Sequence, residues 1–176
     1  TVADGKRFYF VEAAQKGIHW MKLTAQGRAG HGSMMNDENA ITALSEAVSK
    51  IGKYEWPQRY TQTVKDLFRE VARVTGKAYD EKDLRPLLKE IGSTARMIGA
   101  TLQNTANPTM LEAGYKANVI PGAASAVIDG RFLPGYEAEL NETVRSIVGP
   151  DILIETVSHD IALEVDFDAP LVDAMK

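Results

Sequence analysis

The order in which the hydrophobic period changes along this chain restricts its fold more than any other feature. Ile18 to Gln26 alternates apolar and polar residues, with one slip at Trp20 and Met21, and reads as a half-buried strand. Ile41, Leu44, Ala47, Val48 and Ile51 then recur at helical spacing. They predict a helix over 36–51, capped by Asn36 or Asp37, with Glu38 in its first turn and Gly52 ending it. Leu111 to Val119 reads as a strand, Pro121-Gly122 as a turn, and Ala124 to Leu133 as the next strand. In that second run Ala124, Ala126, Ile128 and Gly130 share one face. Leu140, Val144, Ile147 and Val148 stripe a helix that Gly149-Pro150 terminates, and Ile152 to Val157 is a last strand. Strand, helix, strand, strand, helix, strand is the split βαβ order of a ferredoxin-like sandwich. The fold class is therefore α+β, with four antiparallel strands and two helices on one face of the sheet. Its other face stays uncovered, and an open flank beside the Ala- and Gly-rich second helix or along an edge strand is a candidate dimer surface.

A helical insertion over about 54–104 interrupts this framework. Val64, Leu67, Phe68 and Val71 make one apolar face, stopped by Gly76. Asp80 opens a short helix with Leu84, Leu87, Leu88 and Ile91 inward, and Ala95, Ile98, Gly99 and Leu102 suggest a third. Before the framework, residues 1–14 read as a linker followed by a β-like run, Phe8 to Ala14, with a turn at Gln15-Lys16-Gly17. At the far end Asp168 to Pro170 makes a turn, and the few helix-prone residues after it read as the opening of a helix that belongs to a neighbouring domain.

Composition excludes several chemistries. The 176 residues contain no cysteine, which removes disulfides, thiolate catalysis and cysteine-ligated metal centres. Absence of cysteine fits cytosol and extracellular space alike; a cytoplasmic location is the working expectation. A formal net charge of −4 argues against a nucleic-acid partner, although Tyr9 and Tyr115-Lys116 could stack on bases. No apolar run reaches the roughly 18 residues of a membrane span. The three histidines, His19, His31 and His159, stand far apart in the sequence, so a metal site built by this chain alone is not expected. Asp166 and Asp168 lack the further oxygens that calcium needs.

Three residues can carry chemistry. His31 sits in Gly30-His31-Gly32-Ser33, a loop whose glycines leave the imidazole uncrowded and which feeds a helix N-terminus. It can donate to a carbonyl oxygen or carboxylate, or simply hydrogen-bond within its own loop. Ser33 as a nucleophile lacks an orienting acid, a locatable oxyanion hole and the Gly-x-Ser-x-Gly elbow. Asn118 precedes Val119-Ile120-Pro121-Gly122, and its amide can both donate and accept. Arg131, thirteen residues later, can clamp a carboxylate bidentately or form a structural salt bridge with Asp129. Spacing leaves open whether Asn118 and Arg131 share one end of a hairpin or lie at opposite edges.

The stretches QKGIHWMKLTAQGRAGHGS, NDENAI and GYKANVIPGAASAVIDGRFLPG, in that order, resemble the dimerisation (lid) domain of the aminoacylase, acetylornithine deacetylase and succinyl-diaminopimelate desuccinylase family of zinc metallohydrolases. The resemblance covers about 15–157. It implies a lid over 15–160 inserted in a larger catalytic domain, with 1–14 arriving from that domain and 161–176 returning to it. It further implies one or two zinc ions held by the catalytic domain and none by this chain, and a homodimer through the lid. The substrate implied is an N-acyl amino acid or short peptide with a free carboxylate. His31 would donate in trans to the substrate carbonyl or oxyanion, Arg131 would hold the carboxylate, and Asn118 would orient the same end of the substrate. The general base lies outside the chain, so these residues alone are expected to be inactive. The long insertion resembles the carboxypeptidase-like and desuccinylase-like branch. The alternative is a non-enzymatic ferredoxin-like module for interaction or small-molecule sensing.

Overall fold

In the computed structural model the described residues are 11–166 and 170, together with the backbone of 2–3 and 6–7. Four long strands form one sheet: β1 (Gly17–Gln26), β2 (Thr105–Ala113), β3 (Ala123–Phe132) and β4 (Ile152–Asp160). Their spatial order is β2-β3-β1-β4, and every neighbouring pair is antiparallel. Helices α1 (Ala40–Lys53) and α5 (Glu137–Val148) cover one face; between them in sequence lie α2 (Gln62–Thr75), α3 (Arg85–Leu88) and α4 (Ala95–Gly99). This is the ferredoxin-like sandwich with a helical insertion.

Alternation dictates which side of each strand meets the helices. Met21, Leu23 and Ala25 of β1 and Ala124, Ala126 and Ile128 of β3 are buried against Leu44 and Ile51 of α1 and Leu140 and Val144 of α5. Small side chains on β3 let the helices approach closely. At Gly130 a Cβ would stand 2.6 Å from the backbone oxygen of His19, so only hydrogen fits there. The expected slip at Trp20 and Met21 is absent: β1 alternates without a break, Trp20 lies on the open face, and the irregularity opposite it is a β-bulge on β4. Trp20 pairs with Ser158 and Met21 with Thr156, which leaves Val157 as the extra residue on β4.

The insertion has a separate core of Val64, Phe68, Val71, Leu84, Leu87, Ile91, Ile98 and Leu102. It is less continuously helical than the periodicity predicts. After α2, which stops on left-handed Gly76, residues 77–84 run without a helix. Asp80 serves a turn there by accepting from the Lys82 N–H at 2.9 Å, and the next helix waits for Arg85-Pro86. Short 3-10 segments, Lys89–Thr94 and Ala100–Leu102, flank α4.

Other boundaries differ for identifiable reasons. The cap of α1 is Asn39, whose Oδ1 accepts from the N–H groups of Ile41 and Thr42 at 2.9 and 3.3 Å. Asn36, Asp37 and Glu38 belong to the preceding loop instead, and α1 runs one residue past Gly52, through Lys53. Strand β2 begins at Thr105, before Pro108, and ends at Ala113. Pro108 sits at a bulge on an edge strand, where its missing N–H is tolerated. Gly114, with φ +69°, then turns the chain, and Val119–Ile120 forms its own pair with Gly30–His31. Strand β4 continues past Val157 to Asp160. Of the expected run at Phe8 to Ala14, residues 8–10 lie outside the described residues, and only Ala14–Gln15 is a strand, paired with Leu163–Glu164. The turn at Asp168 and the helix after Pro170 also lie outside the described residues.

Candidate functional site

His31 and Asn118 come together through two short antiparallel segments. Gly30 pairs with Ile120 and His31 with Val119, and the Gly32 N–H donates to the Asn118 carbonyl at 2.9 Å. The loop is held at both ends. The Gly27 N–H donates to Gly122 O at 2.9 Å, the Arg28 N–H to Glu38 O at 2.8 Å, and Asn36 Nδ2 to Arg28 O at 2.7 Å. Arg28 also forms an ion pair with Asp37. An exposed histidine is thus carried on a well-tied backbone.

Hydrogen bonds within the loop bear on its tautomer. The Ser33 N–H points at His31 Nδ1 from 3.3 Å, and the Ser33 hydroxyl lies 2.8 Å from the same nitrogen. An Nδ1 that accepts from the Ser33 N–H leaves the ring hydrogen on Nε2. Nε2 faces the Asn118 amide nitrogen at 3.5 Å. With the ring hydrogen on Nε2, the ring and the Asn118 amide are paired donors suited to an oxygen carrying negative charge; with it on Nδ1, donated to the Ser33 hydroxyl, Nε2 accepts from the Asn118 amide instead. Ser33 is a support for the imidazole in this geometry.

Arg131 is elsewhere. It lies near the C-terminal end of β3, paired with Ile18 of β1 and Thr105 of β2, whereas Asn118 lies beyond the Ala123 end. Eight residues of strand separate Ala123 from Arg131, about 27 Å at the usual rise per residue. The structure joins Asn118 to His31 and separates both from Arg131. Arg131 Nε and Nη2 donate to the two carboxylate oxygens of Asp129 at 2.6 and 3.1 Å, and these bonds raise the pKa of the guanidinium above its ordinary value. Nη1 and the second hydrogen of Nη2 remain on the free edge of the fork, enough for another carboxylate.

Lys16, read from the sequence only as part of a turn, adds a second cation here. Its Nζ donates to Gln103 O at 2.8 Å and to Ala100 O and Thr105 Oγ1 at 3.2 Å. Burial foremost, and then the charge of Arg131, lower its pKa to about 8, against the opposing pull of Asp129. Nothing in the alternation around Gly17 announces this tie, because its partners lie 84 to 89 residues away.

The other two histidines are neighbours despite their distance in sequence. His19 and His159 are register partners on β1 and β4, with ring centroids 5.5 Å apart. Their ring nitrogens face Asn141 Oδ1 (2.7 Å), Thr156 Oγ1 (2.9 Å) and Glu137 Oε1 (2.7 Å), which ties α5 to the sheet. No group of three histidine, aspartate or glutamate side chains among the described residues is arranged to hold a metal ion. No helix among them is long and apolar enough to cross a membrane. A surface concavity of about 610 Å³ between the end of α1 and the insertion, lined by Tyr54, Trp56, Tyr60 and Arg85 among others, includes none of His31, Asn118 and Arg131.

Comparison with known proteins agrees with this architecture. The peptidase dimerisation domain model (M20_dimer) matches residues 13–152. "Probable carboxypeptidase S-like 2" of Dictyostelium discoideum is 30% identical over 158 residues, covering 86% of this chain and 30% of that protein. "N-fatty-acyl-amino acid synthase/hydrolase PM20D1" of Bos taurus is 28% identical over 153 residues, covering 83% of this chain and 30% of that protein. The chain thus spans about 30% of the length of these relatives. The M20 family metallo-carboxypeptidase Sso-CP2 from Sulfolobus solfataricus shares the fold, with a TM-score of 0.58 and 17% identity over 93% of this chain and 42% of that one. Human carnosine dipeptidase 1 superposes with a TM-score of 0.56 and 9% identity, covering 93% of this chain and 41% of that one. The strand order, the insertion within it and a family model running from Ala13 to Ile152 all agree: this chain belongs to the peptidase dimerisation domain family, M20_dimer.

Proposed function

We propose that the domain is the dimerisation and substrate-binding lid of a zinc-dependent amidohydrolase or carboxypeptidase acting on N-acyl amino acids or short peptides with a free carboxylate. The observation that carries this reading is the approach of His31 Nε2 and Asn118 Nδ2 to 3.5 Å on an exposed, well-tied loop pair, where the Nε2–H tautomer offers two N–H donors to one oxygen. When water adds to an amide carbonyl, the oxygen gains negative charge. Two fixed donors stabilise that oxygen more than the carbonyl it came from, and so lower the barrier. Asn118 works with His31 in this reading, while Arg131 holds the substrate carboxylate through the free edge of its fork.

Neither function is complete within one copy. The donor pair lies beyond the Ala123 end of β3, and Arg131 stands about 27 Å from that end, too far for one N-acyl amino acid to touch both. A symmetric dimer resolves this by bringing the donor pair of one copy to the Arg131 of the other. The exposed edge strand β2 is the surface proposed for that pairing. Residues 15–160 form the lid in this reading, while 1–14 and 161–176 connect to a catalytic domain that holds the metal and the general base. The described residues of this chain do not fit a metal site, so its contribution is binding, orientation and charge stabilisation.

The test uses the full-length enzyme and hydrolysis of N-acyl amino acids. His31→Ala lowers kcat by about 100-fold or more with zinc content unchanged, and Arg131→Ala acts mainly on KM. Unchanged turnover in His31→Ala removes the donor role. Hydrolysis by the isolated 176 residues with added zinc refutes the division of labour.

A further inference from the structure

On the open face of the sheet, beside the proposed clamp, stands an exposed tryptophan. His19 and Met21 point toward the helices: His19 bonds to Asn141 of α5, and Met21 is buried in the core. Trp20 therefore projects from the other face. Its cross-strand partner on β3 is Asp129, and Ile18, two residues before it, faces Arg131. Trp20 and Arg131 are thus diagonal neighbours on one surface, at a spacing an indole can span. Trp20 is 38% exposed, whereas Trp56 is 7% exposed within the core.

We propose that Trp20, with Ile18, forms the apolar wall against which the substrate side chain packs while Arg131 holds the carboxylate on the same carbon, so that the enzyme favours apolar over acidic carboxy-terminal residues. This rests on the reading of Arg131 as the carboxylate clamp. The side chain and the carboxylate of an amino acid share one carbon, so whatever grips the carboxylate presents the side chain to its immediate neighbours. On the β1 side of Arg131 those neighbours are Ile18 and Trp20. Asp160 faces Ile18 from β4 and lies on the same surface, so an acidic side chain would meet a like charge there. An aromatic or branched apolar side chain covers the indole instead and gains its burial.

The test compares N-acetylphenylalanine, N-acetylglycine and N-acetylaspartate as substrates of the full-length enzyme. The wild type prefers phenylalanine over both of the others in kcat/KM. Trp20→Ala lowers the phenylalanine-to-glycine ratio of kcat/KM about tenfold, and Trp20→Phe restores most of it. A ratio within about twofold of wild type in Trp20→Ala, whatever the absolute rates, overturns the proposal and leaves the clamp reading standing. A wild-type preference for aspartate overturns it as well. Failure of the wild type to hydrolyse any of these substrates overturns the clamp reading and this proposal together.

Discussion

A dimer in which each site takes its donors from one copy and its clamp from the other can be tested by complementation. The perturbation is a heterodimer of His31→Ala and Arg131→Ala subunits, co-expressed as full-length enzymes with different tags and purified through both. In each homodimer every site carries a lesion. Loss of an oxyanion donor costs about 100-fold, and loss of a charge-assisted carboxylate clamp about 10- to 100-fold. In the heterodimer the two lesions segregate if His31 serves the partner. One site joins the intact Arg131 of the first subunit to the intact His31 of the second, and the other site collects both lesions. Activity then returns to about half of wild type, about 5- to 50-fold above either homodimer. The length of β3 makes this a sharp expectation, since Arg131 stands about 27 Å from the Ala123 end of the strand beyond which the donor loops lie. If His31 and Arg131 of one copy served the same site, both sites of the heterodimer would keep one lesion each. A heterodimer no more active than the better homodimer would therefore refute the trans arrangement, even with both residues essential.

Two further perturbations address how the Arg131 end of the sheet is held. Asn104 is 0% exposed; its Oδ1 accepts from the Leu133 N–H and its Nδ2 donates to Tyr136 O, both at 2.9 Å. Asn104→Leu removes both bonds and strands two backbone groups, at a cost of about 3 kcal/mol and a fall in Tm of about 6–12 °C; a loss under about 1 kcal/mol in urea denaturation would show that water replaces the amide. Lys16 titrates at about 8 when folded and near 10.5 when unfolded, so between these values the unfolded chain holds more protons and stability rises with pH. Lys16→Met abolishes that rise, and an unchanged pH–stability profile between 8 and 10.5 would contradict the assignment.

Local patterning made the framework legible, and contacts between distant segments did not. Period-2 runs at Ile18 to Gln26 and Ala124 to Leu133 mark the strands, whereas the slip read at Trp20 and Met21 arises because an apolar Trp20 occupies the open face of an unbroken alternation. Pro108 hid the first half of β2, because a proline reads as a strand breaker and nothing local says that the strand is an edge. The cap of α1 lies two or three residues beyond the expected Asn36 or Asp37 for a related reason. Asn36, Asp37 and Asn39 are all competent caps, and the choice is made by Asn36 reaching back to Arg28 O instead. His31, Asn118 and Arg131 could each be named from chemistry and resemblance, but their grouping depends on which loop pairs with which.

The grouping also gives the insertion a position in the argument. Its own core shares no residue with the core of the sandwich. Where it rejoins the sheet, however, Ala100, Gln103, Asn104 and Thr105 supply every partner of the Lys16 amine and the buried amide that holds Leu133. These ties meet at the end of β3 that carries Arg131. The donor end depends instead on the short pairing of Gly30–His31 with Val119–Ile120 and on the Arg28-to-Asn36 loop contacts, none of which involves the insertion. Changes within the insertion that loosen Asn104 or Lys16 are thus expected to act on the clamp, raising KM, and to spare the donor pair. If the clamp and the donors that serve one site come from different copies, a single lid can adjust how it binds the carboxylate of one substrate without disturbing the oxyanion donors it lends to its partner.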